Sequence, residues 1–290
     1  MSHRPFAVLS CLVALLIVAL APSLARADAA LTPTLTPLGR HVEAELLLRE
    51  LVSVLPDDTR ARVQGIYVAF APTAADVIAQ AACDDDGDDV IVVSDAMLVL
   101  LENVTHAQAR DLGLARTNVL SLATHYAKDQ RAGERLLPPI PGAFETSDTR
   151  GMELVHTSRF REALSGVLAH ELSIFFRGEL TCPHPTATHE RGDDVWTAEE
   201  ATLAREIAAR VYGRGRVRGR DQDAVLLTVA SKGDAVGYVG WLAFLAAMDA
   251  AGGRPDWSYQ VQRPDPARRL EVVERAMDDA RSHARQKEDH

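Results

Sequence analysis

Residues 170 to 174 of this chain read His-Glu-Leu-Ser-Ile, the frame of the zinc-binding helix H-E-x-x-H with isoleucine at its last position. In the intact motif two imidazoles stand four residues apart, about one helical turn. Both then reach one zinc ion while the glutamate between them activates a bound water. His170 and Glu171 are in place, but Ile174 has no lone pair. The surroundings favour a helix. Val167, Leu168 and Leu172 flank the pair, no proline interrupts Glu153 to Arg177, and Gly178 supplies a stop. His189-Glu190 repeats the dipeptide in a polar stretch without that frame. The plain alternative is an ordinary amphipathic helix carrying a core histidine beside a surface acid.

Around this helix the hydrophobic periodicity predicts a mostly helical α+β domain with a small sheet. Helices are expected over Leu38–Leu55, from Ala96 onward after a Ser94-Asp95 cap, and over Asn118–Asp129 and Glu153–Arg177. Further helices are expected over Ala198–Tyr212, Asp221–Ser231, Ala235–Ala250 and Ala267–Ala284. Two strands are expected, at Gly65–Phe70 and Val90–Val93. Prolines at 138, 139 and 141 mark an irregular excursion, and Gly213–Gly219 reads as a Gly/Arg loop. The acids from Asp84 to Asp89 suggest either a calcium loop or a solvated turn. Alanine at 82 breaks the calcium spacing and favours the turn.

Residues 1–27 have the form of a signal peptide: Arg4, an apolar run from Phe6 to Leu20, and an Ala25-Arg26-Ala27 cleavage signal. Residues 28–37 form a Thr/Pro-rich linker, so a periplasmic or secreted protein with no stable membrane span after cleavage is expected. Cys83 and Cys182 are then the two remaining cysteines, in a compartment that permits their pairing. The formal net charge is −10, and the first 27 residues hold no acid, which argues against nucleic acid as a partner. Only 5% of residues are aromatic against 47% hydrophobic, so the interior must be built from Ala, Leu and Val.

Val167-Leu168-Ala169-His170-Glu171-Leu172-Ser173 resembles the V-L-A-H-E-L stretch of metallopeptidase family 48, the HtpX-like and BepA-like gluzincins. Asp221-Gln222-Asp223-Ala224-Val225 is similar to that family's E-x-x-A-D motif. Arg263-Pro264, four residues, then Arg269-Leu270 is similar to its H-P-x-x-x-x-R-I. The similarity runs in order over 38–284, with an insertion at about 105–150. It implies a zincin-like fold, a zinc ion held by His170 and Asp221, and Glu171 as general acid and base in peptide-bond hydrolysis. Three positions depart from the pattern: Ile174 for the second histidine, Asp221 for a glutamate and Val225 for an aspartate. Arg263 for a histidine is a fourth.

Cys182, His184 and His189 are the residues that a loop could fold back to complete a metal site; Glu179 lies off the His170 face. Two functions remain open. One is an impaired zinc peptidase acting on protein or peptide substrates. The other is a non-catalytic pseudopeptidase that binds an envelope or unfolded protein. Arg214, Arg216, Arg218 and Arg220 form either an anion or headgroup patch or a solvated loop.

Overall fold

A computed structural model describes residues 36–114, 117–139, 150–182, 211, 214–253 and 255–288. The leader, most of the linker, His184, His189 and nearly all of the helix expected over Ala198–Tyr212 lie outside the described residues. The chain opens with α1 (Pro37–Ser53) and α2 (Asp57–Arg62), then β1 (Tyr67–Ala71), β2 (Ala79–Cys83) and β3 (Asp89–Ser94). Next come α3 (Asp95–Leu114), α4 (Asn118–Asp129) and α5 (Arg150–Phe176). The final elements are α6 (Arg214–Ala230), α7 (Val236–Ala250), α8 (Ser258–Gln262) and α9 (Pro266–Glu288). The fold is mostly helical α+β, as expected.

Local chemistry explains several boundaries. Pro37 opens α1 at a position where its missing N–H is harmless, and the Thr36 hydroxyl accepts from Gly39 N. Ser94 links strand to helix. Its Oγ accepts from Met97 N at 3.1 Å and from Ile78 N at 2.9 Å, and donates to Asp76 O at 2.7 Å. The acidic stretch is the β2–β3 turn. Asp84 accepts from Asp86 N, Asp88 N and the Tyr67 hydroxyl, and Gly87 takes the left-handed conformation at φ 81°. The Tyr67 bond holds the Asp84 carboxyl below its ordinary range and, with burial, pushes Tyr67 up to about 12.

The sheet order is β1-β3-β2, with β1 parallel and β2 antiparallel to the central β3. Sequence reasoning did not expect β2, because Ala-Gln-Ala-Ala-Cys has little strand propensity. Pairing with Val90–Val93 of β3, rather than intrinsic preference, makes it a strand. The other correction is the Gly/Arg loop. Arg214–Gly219 forms the first turns of α6, with Val217 and Arg220 buried three residues apart on one face.

Helix α5 is the axis of the domain. Every residue from Glu162 to Phe175 is buried, because α1, α3, α6, α7 and the sheet surround it. Two glycines set the α5–α7 crossing. A Cβ on Gly237 would lie 2.2 Å from Arg159 O, and one on Gly166 would lie 2.3 Å from the Tyr238 ring. The Cys83–Cys182 disulfide, with Cα atoms 5.4 Å apart, ties the end of β2 to the segment just after α5. No described helix is long and apolar enough to cross a membrane.

Gly237→Ala must displace backbone, and is expected to lower unfolding stability by about 1–3 kcal/mol in urea titration. Removing the disulfide by Cys83→Ser with Cys182→Ser is expected to cost about 4 kcal/mol, because it closes a long loop in the unfolded chain. Thiol labelling of the denatured, unreduced protein should find neither cysteine reactive.

Candidate functional site

His170 and Glu171 point from adjacent positions of α5 into two buried ion networks. Both side chains are fully buried, as is Ile174 one turn further along. Burial of this kind requires partners, and other helices supply them. Asp221, in the second turn of α6, accepts from His170 Nδ1 at 2.9 Å, so the structure brings the two expected metal ligands side by side.

The same carboxylate is already engaged. Arg269 of α9 grips it with two bonds, Nε to Oδ2 at 2.9 Å and Nη2 to Oδ1 at 2.8 Å. The Tyr238 hydroxyl of α7 donates to Oδ1 at 2.9 Å. Four helices therefore meet at one carboxylate. Val225, one turn beyond Asp221, is packed in the core.

Glu171 faces the sheet. Its Oε2 accepts from Ala81 N of β2 at 3.1 Å, and its Oε1 is paired with Arg263 Nη2. Arg263 follows α8, also donates to Ala79 O at 2.7 Å, and lies 4.4 Å from the centre of the Tyr259 ring. Arg269 approaches the same ring at 5.9 Å, so both guanidinium groups lie near Tyr259.

Strand β2 is thereby covered along its outer edge. Pairing with β3 uses alternate residues, as in the bond from Ser94 N to Ile78 O, and leaves 77, 79 and 81 facing away. Tyr259 N donates to Val77 O at 2.9 Å, Arg263 takes Ala79 O, and Glu171 takes Ala81 N. Gln262 adds a side-chain bond to Gln80 at 2.9 Å. The stretch from Trp257 to Arg263 occupies the position an added strand would need.

The charges close neatly. Burial opposes ionisation of Asp221, but the Arg269 guanidinium and the His170 bond outweigh it and hold the carboxyl well below the usual range. Burial also opposes the Arg269 charge, which Asp221 nevertheless raises well above the ordinary arginine value. For His170 burial dominates and lowers its pKa, despite the hydrogen bond to Asp221. Protonating it would leave an uncompensated positive charge in the core, since Asp221 is already balanced by Arg269. His170 is thus a neutral imidazole donating from Nδ1, and the contact is a hydrogen bond rather than an ion pair. Its Nε2 has no hydrogen-bond partner among the described residues. Burial and the Asp221 charge raise Tyr238 well above 10.0.

Among the described residues, His170 and Asp221 are not joined by a third zinc donor. A catalytic zinc takes three protein ligands and an open position. His170 and Asp221 supply two, and both Asp221 oxygens are held by one guanidinium. Among the described residues no three His, Cys, Asp or Glu side chains converge on a point suited to a metal ion. Cys182 is taken by the disulfide, and Glu179 pairs with Arg220 at 3.0 Å. Sequence reasoning singled out Arg263 and Arg269 but did not expect either to neutralise the adjacent acid, and it missed Tyr238 and Tyr259. The available signal was a cation at 263, where the resemblance implies a histidine, in a sequence that also departs from the implied ligands at 174 and 221.

Arg263→Met leaves Glu171 buried beside β2 without its guanidinium, and is expected to lower stability by about 3–5 kcal/mol in urea titration. Adding Glu171→Gln should recover part of that loss by removing the charge. The lowered His170 pKa means that the unfolded chain binds more protons below about pH 6.5. That stability is complete above this pH and is lost as the pH falls toward the folded-state value. Asp221, whose folded pKa is depressed, adds stability above about pH 3.8 that is lost further into acid. Thermal melts should therefore fall between about pH 7 and 5 in the wild type and fall less in His170→Gln.

Comparison with protein-family models, curated proteins and solved structures finds no match to this chain.

Proposed function

We propose that this protein is a non-catalytic relative of the family 48 zinc peptidases, a pseudopeptidase. Its scaffold persists, and Arg263, where the family has a histidine, holds the carboxylate that would serve as general base. The observation that carries the reading is the fate of Glu171. A general base must reach a water molecule near the scissile carbonyl. Here the carboxylate is fully buried and shared between Arg263 and the Ala81 N–H.

The covered edge of β2 supports the same conclusion. An extended peptide can add to an open sheet edge, and Tyr259 and Arg263 already use the outward backbone groups of Val77 and Ala79. Binding of a protein partner on outer surfaces, outside the cytoplasm, is the role we assign. The disulfide and the leader-like first 27 residues favour a periplasmic or secreted setting.

The test is to rebuild the metal site in steps and measure zinc by elemental mass spectrometry together with cleavage of an unfolded protein substrate. Wild-type protein purified without chelator is expected to hold no stoichiometric zinc and to cleave nothing. Ile174→His with Asp221→Glu supplies three ligands and is expected to bind about one zinc per chain, lost again on His170→Ala. Hydrolysis should stay absent until Arg263→His frees Glu171. A well-folded double variant without zinc would refute the peptidase ancestry, and wild-type cleavage abolished by Glu171→Gln would refute the loss of catalysis.

A further inference from the structure

A cavity of about 230 Å³ opens between the first half of α6 and the start of α9. Arg218, Arg268 and Arg269 line it together with Val217, Pro264 and Val272. Three arginines around one small space are notable in a chain of net charge −10. Arg218 and Arg268 are exposed, so they stand at its mouth, while Arg269 is only 4% exposed.

Arg269 lines the inner part of the cavity and keeps one buried guanidinium nitrogen without a hydrogen-bond partner among the described residues. Its Nε and Nη2 face Asp221, which leaves Nη1. A buried guanidinium nitrogen is costly unless an acceptor reaches it. The first turn of α9 holds no acid, and Arg268 and Arg269 of that turn line the cavity. Asp221 and Asp265 also border the space. Asp221 is already divided among three donors, and Asp265 offsets one arginine, so the cavity keeps a positive balance.

We propose that this cavity binds a carboxylate bearing a small aliphatic group. Arg218 and Arg268 hold the carboxylate, the Arg269 guanidinium beneath them adds its charge at the inner end, and Val217, Pro264 and Val272 receive the aliphatic part. A bare inorganic oxyanion would leave the aliphatic wall facing water, whereas a branched carboxylate uses both surfaces. Either a free short-chain acid or the C-terminal residue of a peptide has this chemistry. The inference rests on the arginines and the cavity alone and does not depend on peptidase ancestry.

Calorimetric titration of the full chain with isovalerate, inorganic phosphate and acetyl-Ala-Ala-Val as free acid or amide tests it. Saturable binding of isovalerate or the free-acid peptide is expected, with the amide at least about tenfold weaker. Arg218→Gln with Arg268→Gln, both exposed and checked for an unchanged melt, should weaken binding about tenfold. Isovalerate binding as tightly as the peptide assigns a free acid, and a preference for the peptide assigns a peptide C-terminus. Phosphate binding as tightly as the carboxylates, or an amide equal to the acid, overturns the ligand class. No saturable binding, or affinities unmoved by the double substitution, overturns the site.

Discussion

The carboxylate of Asp221 is the point on which the helical half of the molecule depends. One buried acid accepts from His170, Tyr238 and Arg269, which come from α5, α7 and α9, while Asp221 itself belongs to α6. Removing a buried charge from water is expensive, and a single counter-ion seldom repays it. Here the guanidinium supplies charge, the hydroxyl and imidazole supply further donors, and Oδ1 is saturated. Every partner lowers the energy of the buried charge.

The Glu171–Arg263 pair performs the corresponding task for the sheet. It joins α5 to β2 and to the chain after α8 through backbone groups as well as charge. Tyr259 places one aromatic ring near both arginines, and Trp241 Nε1 donates to its hydroxyl at 3.3 Å. The two networks are thus physically continuous, and a disturbance of Tyr259 reaches both.

Much of the helical architecture was legible because periodicity, caps and glycine stops are local signals. The long α5, the Ser94 cap and the break at Gly178 follow from neighbouring residues, and the cysteine pairing followed from counting. Strand β2 was illegible because its reason for being a strand lies in β3 and not in Ala79–Cys83. The first turns of α6 were hidden by Gly215 and Gly219, whose low helix propensity yields to burial of Arg220 against Glu179. At the site, the residue pattern singled out His170, Glu171 and Asp221, and the structure brings His170 and Asp221 within hydrogen-bond distance while Glu171 turns to the sheet. The pattern could not show which cation each acid would meet, because ion pairing across 48 and 92 residues leaves no periodic trace.

The two sides of β2 belong to different scales of chain separation. Its inner side is met by the hairpin with β3 through the short Asp84–Asp88 turn, a local event. Its outer side is met by groups 90 and 184 residues away, Glu171 and Arg263. Loop-closure entropy orders these events, so the hairpin can exist before its outer edge has anything to bind. During that interval the nascent chain presents an open strand edge to other chains, the geometry from which edge-to-edge association grows. The last quarter of the sequence ends the exposure. Truncation before Trp257 would leave β2 with its hairpin partner but without that part of its cover, and the cost would fall on solubility as much as on folding.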